Sequence, residues 1–158
     1  MSTSPFHIAS LDPEDPVALR LLALSDNYLA SLYPAESNHL ESASALKRPN
    51  VTFLGGSIDN EIVACGAAKI LDDDGVYAEI KRLFVVDACR GRGIAGMMMI
   101  EIENRLRAAG IAVVRLETGI RQPAALKLYR KIGYSERSPF GAYKPDPLSV
   151  FMEKRIDR

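Results

Sequence analysis

A glycine-rich segment joins a strand-like apolar run to a helix-like apolar run, and it limits the folds that this chain can adopt. The segment "CRGRGIAG" (residues 89–96) follows "IKRLFVV" and precedes "MMMIEIENRLRAAG". Glycine is unfavourable at a helix start unless the backbone must approach another group closely. The first N–H groups of a helix lack intrahelical partners and favour negative charge. The segment therefore predicts a strand–loop–helix unit that can bind an anion.

Local chemistry leaves more than one interpretation of this segment open. In the first, a phosphate approaches the backbone of Gly91, Gly93 and Gly96, while Arg90 and Arg92 add charge-assisted hydrogen bonds. In the second, the segment is only a glycine-rich connection with two solvated arginines. The string also matches the dinucleotide fingerprint G-x-G-x-x-G, although that motif is expected early in a chain, inside a parallel βαβ unit. A nucleotide-binding protein of another fold is therefore an alternative.

The composition is typical of one globular domain. The chain has 158 residues, of which 47% are hydrophobic and 25% charged. The 20 basic and 20 acidic residues cancel, which argues against a general nucleic-acid or membrane-surface binder. The two cysteines and two histidines show no metal-ligand spacing. We therefore expect a single cytoplasmic domain over residues 1–158, with no metal, nucleic acid or membrane as partner.

The hydrophobic pattern predicts the order β-α-α-β-β-β-α-β-α-β-β. Residues 36–48 predict a second, more polar helix, and "DN" between two β-rich runs indicates a hairpin. This order predicts a mixed central sheet of about seven strands flanked by about four helices, in the α/β or α+β class. The longest amphipathic stripe is formed by Ile94, Met98, Ile102 and Leu106.

Two motifs, together with the element order, resemble the GNAT superfamily of N-acetyltransferases. "RGRGIA" is similar to its Q/R-x-x-G-x-G/A signature, and "AALKLYRKIGY" is similar to its A-x-x-L-Y-x-x-x-G-F/Y helix. Gln122 stands where the family often has asparagine. The resemblance covers nearly the whole chain. It implies the GNAT fold and an N-acetyltransferase that uses acetyl-CoA.

The resemblance also implies where the cofactor binds. The backbone N–H groups of residues 91–96 would bind the pyrophosphate, and the pantetheine arm would lie along the strand that ends "LFVV", where it splays from the next strand. The implied cofactor-binding residues are Leu83, Phe84, Val85, Arg90, Gly91, Arg92, Gly93, Ile94, Ala95, Gly96, Gln122 and Tyr129.

Acetyl transfer to an amine requires a base for the amine and a proton for the departing thiolate. No Ser-His-Asp or Cys-His arrangement is visible, so direct attack by the amine is simpler than an acyl-enzyme. Tyr129 matches the family tyrosine that points at the CoA sulfur, which makes it the candidate general acid. The alternative role for Tyr129 is amphipathic packing.

Two glutamates are candidates for the general base. Glu79 lies in "AEI", which resembles the histone acetyltransferase branch, whose base lies on the same strand. Strand alternation predicts that Glu79, Lys81, Leu83 and Val85 share one face. The alternative role for Glu79 is a surface ion pair with Lys81. Glu117, at the end of the following strand, is the second candidate.

The resemblance implies an acceptor pocket between the first two helices and the final hairpin loop. We expect a primary amine of a small molecule or an amino-acid-like acceptor, and a homodimer is left open. The alternative is a CoA-binding sensor or interaction module without turnover. The candidate acceptor-binding residues are Tyr33, Asn38, His39, Phe140 and Tyr143, although each is more often a loop or cap residue than a ligand.

Overall fold

A computed structural model describes residues 5–38 and 40–157, and its centre is a mixed sheet of seven strands. The spatial order of the strands is β1-β2-β3-β4-β5-β7-β6, in which β4 and β5 run parallel and the other neighbours run antiparallel. The predicted element order and mixed class are confirmed. The elements are β1 (Phe6–Ser10), α1 (Pro16–Leu32), α2 (Ala43–Leu46), β2 (Val51–Ile58), β3 (Glu61–Leu71), β4 (Tyr77–Val85), α3 (Ile94–Ala108), β5 (Val113–Gly119), α4 (Pro123–Lys131), β6 (Ser135–Arg137) and β7 (Ser149–Arg155).

Local signals account for most of the element boundaries. The predicted hairpin turn consists of Asp59 and Asn60, with φ of 53° and 62°, the left-handed values that a tight type I′ turn requires. Helix α3 is followed by Gly110 at φ 81°, which allows the chain to leave the helix. Helix α4 begins with Pro123, whose fixed φ suits the first helical turn.

Helices cover both faces of the sheet. The predicted stripe of α3 is buried against one face, where Met98 is fully enclosed. On the other face, α1 buries Leu21 against a second cluster that includes Phe53 and Phe84. Across the described ranges, no helix combines the length and apolar character that crossing a membrane requires.

A β-bulge in β4 changes which side chains share a face. Lys81 lies opposite Ala67, whereas Phe84 lies opposite Cys65, so β4 holds one residue more than β3 over this stretch. Arg82 takes up the extra length at φ 59°. The prediction that Glu79, Lys81, Leu83 and Val85 share one face is therefore wrong. Leu83 and Val85 pack in the cluster formed with α3, and Phe84 packs in the cluster formed with α1.

Strands β4 and β5 separate soon after they meet. Their parallel register covers three positions, from Ala78 opposite Val114 to Ile80 opposite Leu116. The carboxyl-terminal half of β4 therefore diverges from β5 and leaves a gap in the sheet.

The second helix is much shorter than residues 36–48 predict. Ala35–Ser37 form a single 3₁₀ turn, and α2 covers only Ala43–Leu46. The Ser42 side chain accepts a hydrogen bond from the Ala45 backbone N–H at 3.2 Å and fixes the helix start there. Serine and asparagine side chains compete for backbone hydrogen bonds, which explains why the preceding polar residues do not extend the helix.

Candidate active site

A cleft of about 530 Å³ begins at the gap in the sheet and runs between α1, the amino-terminal end of α3 and α4. All of the predicted cofactor residues except Arg92 line this cleft. Its exposed wall is mostly apolar, with Leu83, Val85, Ala125 and Leu128 among its side chains. An elongated, largely apolar ligand can therefore lie along β4.

The glycine loop presents bare backbone to the cleft. Gly91 and Gly93 have φ of 80° and 77°, and a Cβ at either position would meet no atom within 4 Å. Their side of the loop therefore faces open space. Gly93 directly precedes α3, and no side chain at this position caps the first N–H groups of the helix. Gly96 differs, because a Cβ there would make an ordinary 3.5 Å contact with Leu128. The loop and helix start can bind an anion through backbone N–H groups.

The two arginines of the loop have different surroundings. Arg90 donates from Nε to the Val85 carbonyl at 3.1 Å and pairs with Asp87 at 3.2 Å. Its guanidinium group stacks on the Tyr28 ring, with 4.6 Å to the ring centroid. Arg90 therefore braces the loop against β4 and α1. Arg92 is exposed and does not line the cleft.

Helix α1 contributes wall residues that the sequence interpretation missed. Ser25 and Leu29 line both the cleft and a smaller cavity of about 100 Å³ next to it. Ser25 is only 3% exposed, although its neighbours on that side of the helix are leucines. A serine on the buried stripe of an amphipathic helix is the signal that could have identified this wall.

Tyr129 lies where the cleft and the smaller cavity meet. Helix α4 holds its ring edge-on to Tyr134, with 5.9 Å between centroids. Burial raises the pKa of the Tyr129 phenol, and the nearby Glu117 raises it further. The hydroxyl therefore keeps its proton at working pH. The Tyr129 ring is buried, as the packing role requires, but it also borders both the cleft and the smaller cavity.

Glu117 lines the smaller cavity and accepts a hydrogen bond from Ser149 Oγ at 2.9 Å. Burial raises the pKa of this carboxyl from 4.5 to about 7. The Ser149 hydrogen bond and the charge of Lys81 lower this pKa, whereas the charges of Glu79 and Asp146 raise it. The carboxyl can therefore exchange a proton near neutral pH.

Glu79 does not reach the same cavity. Its Oε2 accepts a hydrogen bond from Tyr143 Oη at 2.5 Å and lies 3.3 Å from Lys81 Nζ. Lys81 Nζ also donates to Tyr143 Oη at 2.8 Å. Glu79 is 4% exposed, so the predicted ion pair with Lys81 exists but is buried rather than on the surface. Tyr129 and Glu117 therefore line the same smaller cavity. Glu79 does not line it and instead contacts Tyr143 and Lys81.

The predicted acceptor residues divide into two groups. Tyr33, Asn38 and Tyr143 line the smaller cavity. Phe140 does not, because its ring is buried among those of Tyr77, Tyr143 and Phe151, and it supports Tyr143 from behind. The predicted acceptor residue His39 lies outside the described residues.

The fold, together with the comparisons with known proteins, defines an acetyltransferase. Residues 18–134 match the acetyltransferase (GNAT) family, and the chain belongs to this family. The chain is 45% identical to an IAA acetyltransferase from Azospirillum brasilense, with 94% of this chain and 97% of that protein covered. It is 31% identical to the uncharacterized N-acetyltransferase YsnE from Bacillus subtilis, over 90% of this chain and 97% of that protein.

Solved structures show the same fold. A putative acyl-CoA N-acyltransferase from Klebsiella pneumoniae is 31% identical, with a TM-score of 0.82 over 96% of this chain and 97% of that one. The PaiA N-acetyltransferase from Thermoplasma acidophilum, solved with coenzyme A, is 20% identical, with a TM-score of 0.76 over 96% and 99%. The family predicted from the two motifs and the acetyltransferase class are thus confirmed, and the dinucleotide-binding alternative is excluded.

Proposed function

We propose that this enzyme transfers the acetyl group of acetyl-CoA to the primary amine of a small molecule or amino-acid-like acceptor, by direct attack of the amine. The observation that carries this proposal is the position of Tyr129, which borders both an apolar cleft and a small cavity that holds Glu117. The similarity to an IAA acetyltransferase also supports a small-molecule acceptor.

The residues of the cleft fit acetyl-CoA. The backbone of Gly91 and Gly93 and the start of α3 would hold the diphosphate, because these groups face open space without side chains. The apolar wall along Leu83 and Val85 would hold the pantetheine arm. When bound, acetyl-CoA supplies an acetyl group activated as a thioester, whose sulfur departs as a thiolate.

In this proposal, Glu117 and Tyr129 divide the proton transfers. Glu117 takes the proton of the acceptor ammonium, and its pKa of about 7 keeps a large fraction of the carboxyl ionised at neutral pH. Tyr129 Oη holds a proton at the junction and donates a hydrogen bond where negative charge develops on the leaving group. Ser149 holds the Glu117 carboxylate, and Lys81 keeps its pKa from rising further.

A glycine substitution tests the cofactor site. We expect Gly93→Ala to weaken acetyl-CoA binding more than tenfold, or about 1.4 kcal/mol, because the added methyl group blocks approach to the backbone. Gly110→Ala is the matched control, since Gly110 lies just beyond the other end of α3 at φ 81°, close to the 77° of Gly93, and also has open space around it. Both variants carry similar backbone strain. Titration calorimetry measures both affinities, and equal affinities would remove the loop from the cofactor site.

An acceptor screen tests the reaction itself. Release of free thiol from acetyl-CoA is measured with a panel of primary amines, amino acids and matched secondary amines. We expect turnover with primary amines only. Tight acetyl-CoA binding without turnover on any amine would favour the sensor alternative instead.

A further inference from the structure

We propose that Tyr33 is a positioning residue, which turns the side-chain amide of Gln122 so that its NH₂ group faces the cofactor cleft. This inference rests on the proposed function, because it assumes that the cleft binds acetyl-CoA. It assigns Tyr33 a role in cofactor binding, although Tyr33 lines the smaller cavity and not the cleft.

Tyr33 joins the end of α1 to the loop between β5 and α4. Its hydroxyl accepts a hydrogen bond from the Arg121 backbone N–H at 3.0 Å and lies 3.3 Å from Gln122 Oε1. The Arg121 guanidinium group also donates to the Leu32 carbonyl, so a second hydrogen bond joins the same two segments. The side chain of Tyr33 is almost fully buried, at 7% exposed.

The two hydrogen bonds at the Tyr33 hydroxyl run in opposite directions. A backbone N–H can only donate, so Tyr33 Oη must accept from Arg121. Its own proton is directed to Gln122, whose oxygen and not its nitrogen lies 3.3 Å from Tyr33 Oη. The NH₂ group of Gln122 is therefore directed away from Tyr33.

The amide of Gln122 lies where a cofactor could use it. Gln122 lines both the cleft and the smaller cavity. Within residues 5–38 and 40–157, no protein oxygen accepts a hydrogen bond from its NH₂ group. The pantetheine arm of CoA carries two amide carbonyl groups, which are hydrogen-bond acceptors of the kind that this donor requires. If the amide were reversed, its oxygen would face the carbonyl oxygens of the pantetheine arm, and two acceptors cannot form a hydrogen bond with each other.

Gly119, the last residue of β5, shows independently that the chain entering this loop is shaped around the Tyr33 ring. A Cβ at position 119 would lie 1.9 Å from Tyr33 Oη and 2.2 Å from Cζ. The φ of Gly119 is not in the left-handed region, so the ring and not the backbone conformation requires glycine here. Because Glu117 precedes this loop and Tyr129 follows it, the same contact connects the strand and helix that carry both proposed reactive groups.

A double-mutant cycle on acetyl-CoA affinity tests this inference without any acceptor. Tyr33→Phe keeps the ring and removes the hydroxyl, and Gln122→Ala removes the amide. We expect each single variant to weaken binding about fivefold, the effect of losing one hydrogen bond of about 1 kcal/mol, and the double variant to be no weaker than Gln122→Ala. Unchanged affinity in either single variant would overturn the inference, and so would losses that multiply in the double variant.

Gly119→Ala provides a second, independent measurement. The new methyl group must displace the Tyr33 ring, so we expect the same loss of acetyl-CoA affinity as in Tyr33→Phe. In a Tyr33→Ala background the methyl group has room, and adding Gly119→Ala should cause no further loss. A further loss in that background would contradict the inference. Thermal unfolding of each variant verifies that it is folded.

These outcomes separate the inference from the proposed function. If Gly93→Ala weakens acetyl-CoA binding while Tyr33→Phe and Gln122→Ala do not, the positioning role fails and the cofactor site stands. If none of the three substitutions affects binding, both fail.

Discussion

The Glu117→Gln variant is expected to lose about 10²-fold or more in kcat, because glutamine cannot take the proton of the acceptor amine. In the wild-type enzyme, kcat should rise as pH increases through about 7, where the Glu117 carboxyl becomes ionised. The variant should lack this acidic limb. The measurement is kcat from pH 5.5 to 9 with one active amine.

Glu79→Gln is the matched comparison for this experiment. Removing its charge takes away one interaction that raises the pKa of Glu117, so the acidic limb should move to lower pH and remain visible. If Glu79→Gln lost the acidic limb of the kcat profile while Glu117→Gln kept the wild-type profile, Glu79 and not Glu117 would be the base.

The raised pKa of Glu117 also predicts how stability depends on pH. An unfolded chain ionises this carboxyl near 4.5, whereas the folded protein keeps it protonated up to about 7. Its contribution to the free energy of unfolding is therefore fully present below 4.5 and is lost as pH rises through about 7. In Glu117→Gln this decline should be absent. Urea unfolding at pH 5 and pH 7.5 measures the difference for both proteins, and equal pH dependence would show that the carboxyl is not buried in its protonated form.

The Tyr129→Phe variant is expected to lose about 10²-fold in kcat while its affinity for acetyl-CoA stays nearly unchanged. The substitution keeps the ring and removes the proton that faces the leaving group. The loss should therefore fall on the transition state and not on the ground state. Single-turnover rates and titration calorimetry separate the two quantities.

Tyr134→Phe is the matched control for Tyr129→Phe. Tyr134 is also a buried tyrosine, and its ring packs against Tyr129, but its hydroxyl donates to Glu103 at 2.8 Å and does not face the cleft. We expect a loss of stability with kcat retained. If Tyr129→Phe were silent in both rate and affinity, Tyr129 would have only a packing role.

Local sequence signals were sufficient to predict most of the elements and the exposed glycine loop. Glycines at 91 and 93, the hairpin pair at 59–60 and the stripe on α3 each act over a few residues, and the structure contains all of them. The strand order and the gap could be expected only through the resemblance to a known fold, because they depend on contacts far apart in the chain.

The different surroundings of Glu117 and Glu79 could not be predicted from the sequence. They depend on the register between β5 and β7, which brings Ser149 to Glu117, and on Tyr143, which comes from a distant loop to Glu79. The bulge at Arg82 was missed for a related reason. Bulges often contain glycine, whereas here an arginine adopts the left-handed conformation and ion-pairs with Asp26.

The short contact between β4 and β5 divides the backbone hydrogen bonding of the sheet into two plates. One plate contains β1 to β4 and the other contains β5, β7 and β6, and in the described part of the chain three register positions join them edge to edge. Few backbone hydrogen bonds join β5 to β4, so amides of β5 beside this seam should exchange with deuterium faster than those of β3. A ligand that spans the seam would slow this exchange, so hydrogen–deuterium exchange can report cleft occupancy even before any acceptor is known.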